Sequence, residues 1–353
     1  MDDPSSIENS DEGNESDEEY SVGEKENENK WNINPKDEKL YWYKELIDRY
    51  IYVPNICPKC KQNTFRINEK TSLDLLNPLY LSCSNKKCKY KSNLRKYSFF
   101  RLLKNIPVSV IHYIMYLFIV LKINATQIEK SLKQKYKYAP SYVTITNILF
   151  NLRRVITDHL KYKYKIKQIG GSPDKNISVA IDESLWVHIN NQKMWLIGAI
   201  ETKSRKLRCD FVRHRTSANL NIFVTNHIEP GTHIITDGFS SYAFLDNEDV
   251  SVWTHEVHSH ARGDWGSGSS STSHIEHTWA HLIEQVKLIY GNIKSYNWIY
   301  FFKEAEFRLN ICKKKDDEKL KIFENILKEI FELHDYEFYD VEEIIAFDNY
   351  DNY

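Results

Sequence analysis

Four of the six cysteines fall within residues 57–88, spaced Cys57-x2-Cys60 and Cys83-x4-Cys88. No other feature limits so strongly what the chain can fold into. A Cys-x2-Cys turn presents two sulfurs on one side, and Zn²⁺ takes four soft ligands in a tetrahedron. Two such knuckles on short hairpins make a zinc ribbon. Pro58 and Lys59 in the first knuckle, and Lys86 and Lys87 in the second, suit exposed turns, and the lysines offset the charge of a four-thiolate site. Four separate thiols, or two disulfides, are the other readings. A chain of 353 residues with so few cysteines is no disulfide scaffold, and their clustering favours metal. Cys209 and Cys312 read as ordinary buried thiols.

Charge is unevenly placed. Lys plus Arg total 48 against 49 Asp plus Glu, a net of −1. Residues 1–30 carry a net of −10 and residues 331–353 a net of −8, which leaves +17 on residues 31–330. A basic middle between acidic ends points to a polyanionic partner such as nucleic acid. Residues 1–30, almost without apolar side chains, read as disordered. The polar start carries no secretory signal. The uncharged run 105–121 contains Pro107 and His112 and is short of the roughly 20 apolar residues that span a bilayer. It reads as a buried helix, and the protein as soluble and intracellular, with no membrane partner.

Residues 31–52 place Trp31, Leu40, Tyr41, Trp42, Leu46, Ile47 and Tyr50 at helical spacing, which predicts a short amphipathic helix leading into the first knuckle. TFRIN and LYLSC read as short strands. Three helices follow: 108–121, INATQIEKSLKQKY, and PSYVTITNILFNLRRVITDHL, the last opening at Pro140 and Ser141. A Gly-Gly-Ser-Pro linker at 170–173 ends this part. The pattern then changes to strands at 177–189, 194–203 and 206–214, the helix ANLNIFVTNHI, a strand at 232–238, a short helix FSSYAFL and a strand at 251–259. A Gly/Ser-rich loop precedes a helix from about Ser273 to Tyr290. A helix at 298–312, the charged linker KKKDDEK and a helix at 319–334 complete the chain.

The second and third helices have the proportions of a helix-turn-helix. Ser141, Thr144, Thr146 and Asn147 stand near the start of the third, where a recognition helix carries small polar groups, with Arg153 and Arg154 further along. A plain helical hairpin with a solvated charged face is the other reading.

Three acids stand where phosphodiester chemistry needs them. Asp182 lies in the apolar strand VAID, Asp237 ends the strand IITD, and Glu276 lies in the first turn of the helix after the last strand. A carboxylate at the end of a buried strand is unfavourable unless a cation compensates it, and Mg²⁺ or Mn²⁺ prefers oxygen ligands. Two ions held by three acids activate a water or 3′-hydroxyl and stabilise the leaving oxygen. The element order is that of an RNase H-like domain, in which the first and fourth strands are neighbours. Glu183 and Glu201 are nearby alternatives, although Glu183 faces away from Asp182. Strand-end acids that merely cap turns are the plainer reading.

The ordered set VAIDES, IITDGFSSY, VH, TSHIEHTW, YG and EAEFRLN resembles the ISXO-like insertion-sequence transposases and their eukaryotic relatives, the Merlin transposases. The resemblance covers about residues 50–312. It implies an α/β (α+β) chain: acidic residues 1–30, an amphipathic helix and zinc ribbon at 31–100, and a helical, helix-turn-helix-like DNA-binding region at 101–168. An RNase H-like DDE catalytic domain follows at 174–315, then a helix and acidic tail at 316–353. It implies Asp182, Asp237 and Glu276 as the catalytic, magnesium-binding triad, with Trp279 completing Glu-x-x-Trp, and zinc on Cys57, Cys60, Cys83 and Cys88. Arg153, Arg154, Lys287 and Arg308 are candidate DNA contacts, and His258 has a supporting role. The implied activity is DNA transposition, by metal-dependent cleavage and strand transfer at terminal inverted repeats of double-stranded DNA. A homodimer or higher oligomer would do this, in the nucleus if the host has one. The pattern departs at Ser273, where many relatives have Asn, and at Ile283, where many have Lys. A domesticated zinc-dependent DNA-binding protein without cleavage activity, or an unrelated nuclease on the same fold, are the alternatives.

Overall fold

The computed structural model describes residues 30–43, 47, 53, 55–61, 64–70, 74–166, 168–171, 177–189, 192–246, 252–258, 272–290 and 298–332. The acidic ends, the Gly/Ser loop and most of 44–52 in the expected first helix lie outside the described residues.

Helix α1 (Pro35–Tyr41) begins at Asn34, whose side chain accepts the Lys36 N–H, with proline in the first turn. Strands β1 (Phe65–Glu69), β2 (Leu79–Cys83) and β3 (Lys91–Asn93) form an antiparallel sheet in that order. The sequence left β3 undetected because Lys-Ser-Asn is too short and too polar to show alternation. Helices α2 (Val108–Ile119), α3 (Ala125–Tyr136) and α4 (Tyr142–Ile166) follow. Asn124 and Gln127 form a capping box on α3. At the start of α4, Ser141 Oγ accepts the Thr144 N–H at 3.2 Å. Proline precedes α2 and cannot cap it by side chain, so Glu38 of α1 does so: its carboxylate accepts Val108 N–H at 2.8 Å and Ser109 N–H at 3.2 Å.

Helix α8 (Asp316–Glu332) starts inside the stretch expected as a linker, because Asp316, Asp317 and Glu318 favour a helix N-terminus. Its Phe323, Ile326, Leu327, Ile330 and Phe331 share one apolar core with Leu79 and Leu81 of β2 and with α2, α3 and α4. The C-terminal helix thus belongs to the N-terminal helical body. Among the described residues, no helix is long and apolar enough to cross a membrane.

The second core surrounds β4 (Ser178–Ile189), β5 (Gln192–Glu201), β6 (Leu207–Val212), β7 (Thr232–Asp237) and β8 (Trp253–His258), ordered β6-β5-β4-β7-β8. β4, β5 and β6 are antiparallel neighbours, whereas β4–β7 and β7–β8 are parallel. This is the strand order of an RNase H-like domain. Central β4 is buried on both faces at Val179, Ala180 and Ile181, hence the apolar run there. Val179 and Ile181 pack with Leu220 and Phe223 of α5 (Ser217–His227). Ala180 packs with Ile275, Trp279, Leu282 and Val286, the inner stripe of α6 (Ser273–Tyr290), and with Phe302 of α7 (Trp298–Ile311).

The two bodies are joined through Glu304 of α7. Its carboxylate accepts Arg153 Nε and Arg308 Nε, each at 2.7 Å. Arg308 also donates to the carbonyls of Phe118 at 2.8 Å and Ile119 at 3.3 Å, closing the C-terminus of α2. Both guanidiniums lie over the Phe118 ring. Arg153 and Arg308 are buried, so the expectation that they contact DNA gives way to an interior role. Removing one member of a buried ionic group costs about 3–5 kcal/mol, because uncompensated charge stays behind. Glu304→Ala should lower the urea-unfolding free energy by about that much. A change below about 1 kcal/mol, the scale of exposed pairs, would contradict this role.

Candidate active site and metal centre

The zinc ribbon expectation concerns four sulfurs far apart in sequence. In the fold, Cys57 Sγ lies 3.7 Å from Cys88 Sγ, and Cys60 Sγ 3.5 Å from Cys83 Sγ. All four lie within 4.8 Å of one another. A tetrahedron with Zn–S of about 2.3 Å has edges of about 3.8 Å, so this set fits a Zn²⁺ ion. Both knuckles close on a left-handed lysine, Lys61 and Lys89, immediately after the second cysteine. Lys61 N–H returns to Cys57 C=O at 2.9 Å and Cys88 N–H to Asn85 C=O at 2.9 Å. Of the remaining cysteines, Cys209 is buried as expected, but Cys312 is exposed because it follows the last turn of α7.

The acids lie toward one end of the second sheet, more widely spaced than the four sulfurs. β4 and β7 are paired up to Ala180 opposite Ile235. Continued for two more residues, that register would set Asp182 across from Asp237, and on the other side Asp237 pairs with His258 of β8. Glu276 arrives from the first turn of α6, where Thr272 Oγ1 donates to it at 3.4 Å. Burial pushes the Asp182 carboxyl up to about 6, and the charges of Asp237 and Glu276 add to that shift. Asp182 therefore senses both of the other acids. An excess of negative charge on hard oxygens, partly desolvated, suits a divalent cation of the Mg²⁺ or Mn²⁺ kind.

Each acid is oriented by a neighbour. Trp279 Nε1 donates to Asp182 Oδ2 at 3.0 Å. The indole can reach it because Gly198, paired with Asp182 across β5, has no side chain; a Cβ there would run into the Trp279 ring. Phe239 N–H donates to Asp237 Oδ1 at 3.0 Å. His258 Nε2 lies 2.9 Å from Glu256, which also holds His233 at 2.8 Å. The sequence signal for Gly198 was present, since a lone glycine inside a strand marks a close approach, but nothing in one dimension said what approaches.

The two alternative acids serve other ends. Glu183 faces the α5 side, where it accepts the Tyr242 hydroxyl and pairs with Arg215 at 3.4 Å. Burial, reinforced by the charges of Asp182 and Asp237, pushes its carboxyl up to about 7. Glu201 accepts Gly170 N–H at 3.0 Å and Ser204 Oγ, fastening the β5–β6 turn. Arg154 is half-buried on α4. Lys287 lies in α6 with its side chain outside the described set, and Ser273 and Ile283 lie on the same helix.

Residues 168–310 match the family described as ISXO2-like transposase domain. This transposase-like segment contains all three acids, Gly198, Trp279 and Glu304. Among curated proteins, none matches the chain. Two solved catalytic core domains are similar in part. HTLV-2 integrase with magnesium (trimeric form) is 14% identical, with 38% of this chain and 84% of that one covered, at a TM-score of 0.27. BIV integrase is 15% identical, with 39% and 84% covered, at 0.28. Scores of this size carry no argument, so the RNase H-like fold rests on the strand order β6-β5-β4-β7-β8, and the family likeness on the match of residues 168–310.

Proposed function

We propose that the chain is a DDE DNA transposase, which binds the terminal inverted repeats of its element and cleaves and transfers the DNA strand. What supports this is the parallel β4–β7 pairing, which leads on towards Asp182 and Asp237, together with the effect of the Asp237 and Glu276 charges on the Asp182 carboxyl. Asp182, Asp237 and Glu276 would hold the ions. Bound there, Mg²⁺ or Mn²⁺ supplies an activated water or 3′-hydroxyl and neutralises the leaving oxygen. The chain's own part is orientation. Trp279 fixes the Asp182 carboxylate, the Phe239 N–H fixes Asp237, and His258 borders Asp237 on β8. The apolar layer beneath holds these groups to one geometry.

End recognition falls to the zinc ribbon and to α3 and α4. Lys130, Lys133, Lys135 and Lys137 are exposed, as are Tyr142, Val143 and Asn147 at the start of α4. The Ser141 and Thr144 hydroxyls bond each other at 2.9 Å and serve the helix start. Lysine-phosphate contacts supply affinity, and the exposed side chains at the tip of α4 supply base contacts. Cutting two ends together calls for a homodimer or larger assembly. The Merlin transposases are the eukaryotic relatives this reading favours, which places the work in the nucleus where the host has one.

The test is incubation with labelled duplexes carrying the element's own ends, in Mg²⁺ or Mn²⁺, beside Asp237→Asn. Metal-dependent nicking at the end boundary, absent from the variant, is the expected result. Specific binding without nicking would replace the enzyme with a domesticated DNA-binding protein. Gly198→Ala supplies a second check. Displacing Trp279 from Asp182 should cut single-turnover nicking by about 100-fold. Overpacking should cost about 1–3 kcal/mol of stability. Undiminished nicking would remove Trp279 from the positioning role.

A further inference from the structure

A cavity of about 880 Å³ opens on the α5 face of the second sheet, lined by Lys193, Trp195, Arg213, His214, Arg215 and Phe239. None of these enters the ion-holding set, yet two join it through their neighbours. Phe239 is the residue whose N–H holds Asp237, and Arg215 pairs with Glu183, which adjoins Asp182. Arg215 is held rigidly. Its guanidinium lies 3.7 Å from the centre of the Trp195 ring and 4.6 Å from that of Phe239. The backbone just before it is pinned by Asn219, whose Nδ2 donates to His214 C=O at 2.9 Å. Lys193, Arg213 and His214 are exposed around it, and no acid among the described residues lines the cavity.

Fixed cations alternating with aromatic rings suit one ligand chemistry: phosphates in series with flat bases. The bases must be unpaired, because a duplex hides their faces in the stack. We propose that this cavity binds the unpaired nucleotides of the DNA strand next to the phosphodiester at Asp182 and Asp237. Arg215, Arg213 and Lys193 receive the phosphates, and Trp195 and Phe239 flank the bases. This rests on the strand-cleavage reading for its location, and on the cavity's own chemistry for its ligand. It also assigns a job to the Glu183–Tyr242 pair, which anchors Arg215 from below while lying on the opposite face of β4 from Asp182.

The test uses fluorescein-labelled hexathymidylate and a labelled 20-base-pair duplex, with anisotropy read on the full chain without added divalent metal. Arg213 is exposed, so Arg213→Glu should fold normally; it is expected to weaken hexathymidylate binding about tenfold while leaving the duplex within about twofold. Trp195→Ala should weaken hexathymidylate binding by a similar factor. Unchanged hexathymidylate binding in Arg213→Glu, or equal losses for both probes, would overturn the proposal. Hexathymidylate binding at this cavity without any end cleavage would support the site and sink the cleavage reading. End cleavage with hexathymidylate binding indifferent to Arg213→Glu would do the reverse.

Discussion

Asp182→Asn should abolish metal-dependent strand cleavage while leaving the metal-free protein at least as stable as the parent. The amide keeps the oxygen that accepts Trp279 Nε1, so the geometry survives and only the charge is lost. Losing one anionic ion ligand removes several kcal/mol of transition-state stabilisation, which is about a 1,000-fold fall in rate. Stability moves the other way. A carboxyl whose folded pKa of about 6 exceeds its ordinary 3.8 prefers the neutral form when folded. Its ionisation therefore destabilises the fold; the penalty is absent below about pH 3.8, builds towards about pH 6 and is full above it. Asparagine removes it. Melting curves at pH 5 and pH 8 without divalent metal, with single-turnover nicking in Mg²⁺, separate the two effects. A variant that melts lower at pH 8 and nicks normally would contradict both the burial and the role of Asp182.

Stripping zinc should have the largest effect on stability. Structural Zn²⁺ on four thiolates contributes about 10–16 kcal/mol of binding free energy, and that energy is folding energy for a ribbon with little core of its own. The ribbon sheet has five, five and three residues in its strands. Its inward face, Leu79 and Leu81, packs into the core formed by α2, α3, α4 and α8. Cys83→Ser, or a strong chelator, should therefore unfold residues 55–93 and loosen that core. The β4–β8 sheet, built on separate apolar clusters, should persist. The measurement is zinc per chain by atomic absorption, with hydrogen exchange along the sequence. One zinc per chain, and exchange that rises first in the ribbon on chelation, is expected. Full protection of residues 55–93 without metal would rule out a structural zinc site.

Most of the element order was legible in one dimension because its signals are local. The apolar runs of β4 and β7, the capping box of α3 and the inner stripe of α6 are each written within a dozen residues. The cysteine spacing and the positions of Asp182, Asp237 and Glu276 were equally local, and they suggested which groups would meet. What sequence could not supply was partnership between distant residues. Arg153 and Arg308 looked like cations for DNA until the fold brought Glu304 between them, 151 and 4 residues away. α8 looked like an appendage until its apolar face closed the helical core. Gly198 was an unremarked glycine until Trp279 was seen lying over it. In each case the side chain's chemistry was known beforehand, and burial decided its use. A charge removed from water must find its counter-charge inside, and which one it finds depends on packing across the whole chain. Residue types, order and spacing determined the kind of site this protein has; the tertiary fold alone decided which of its charges are spent holding the molecule together and which remain at the surface.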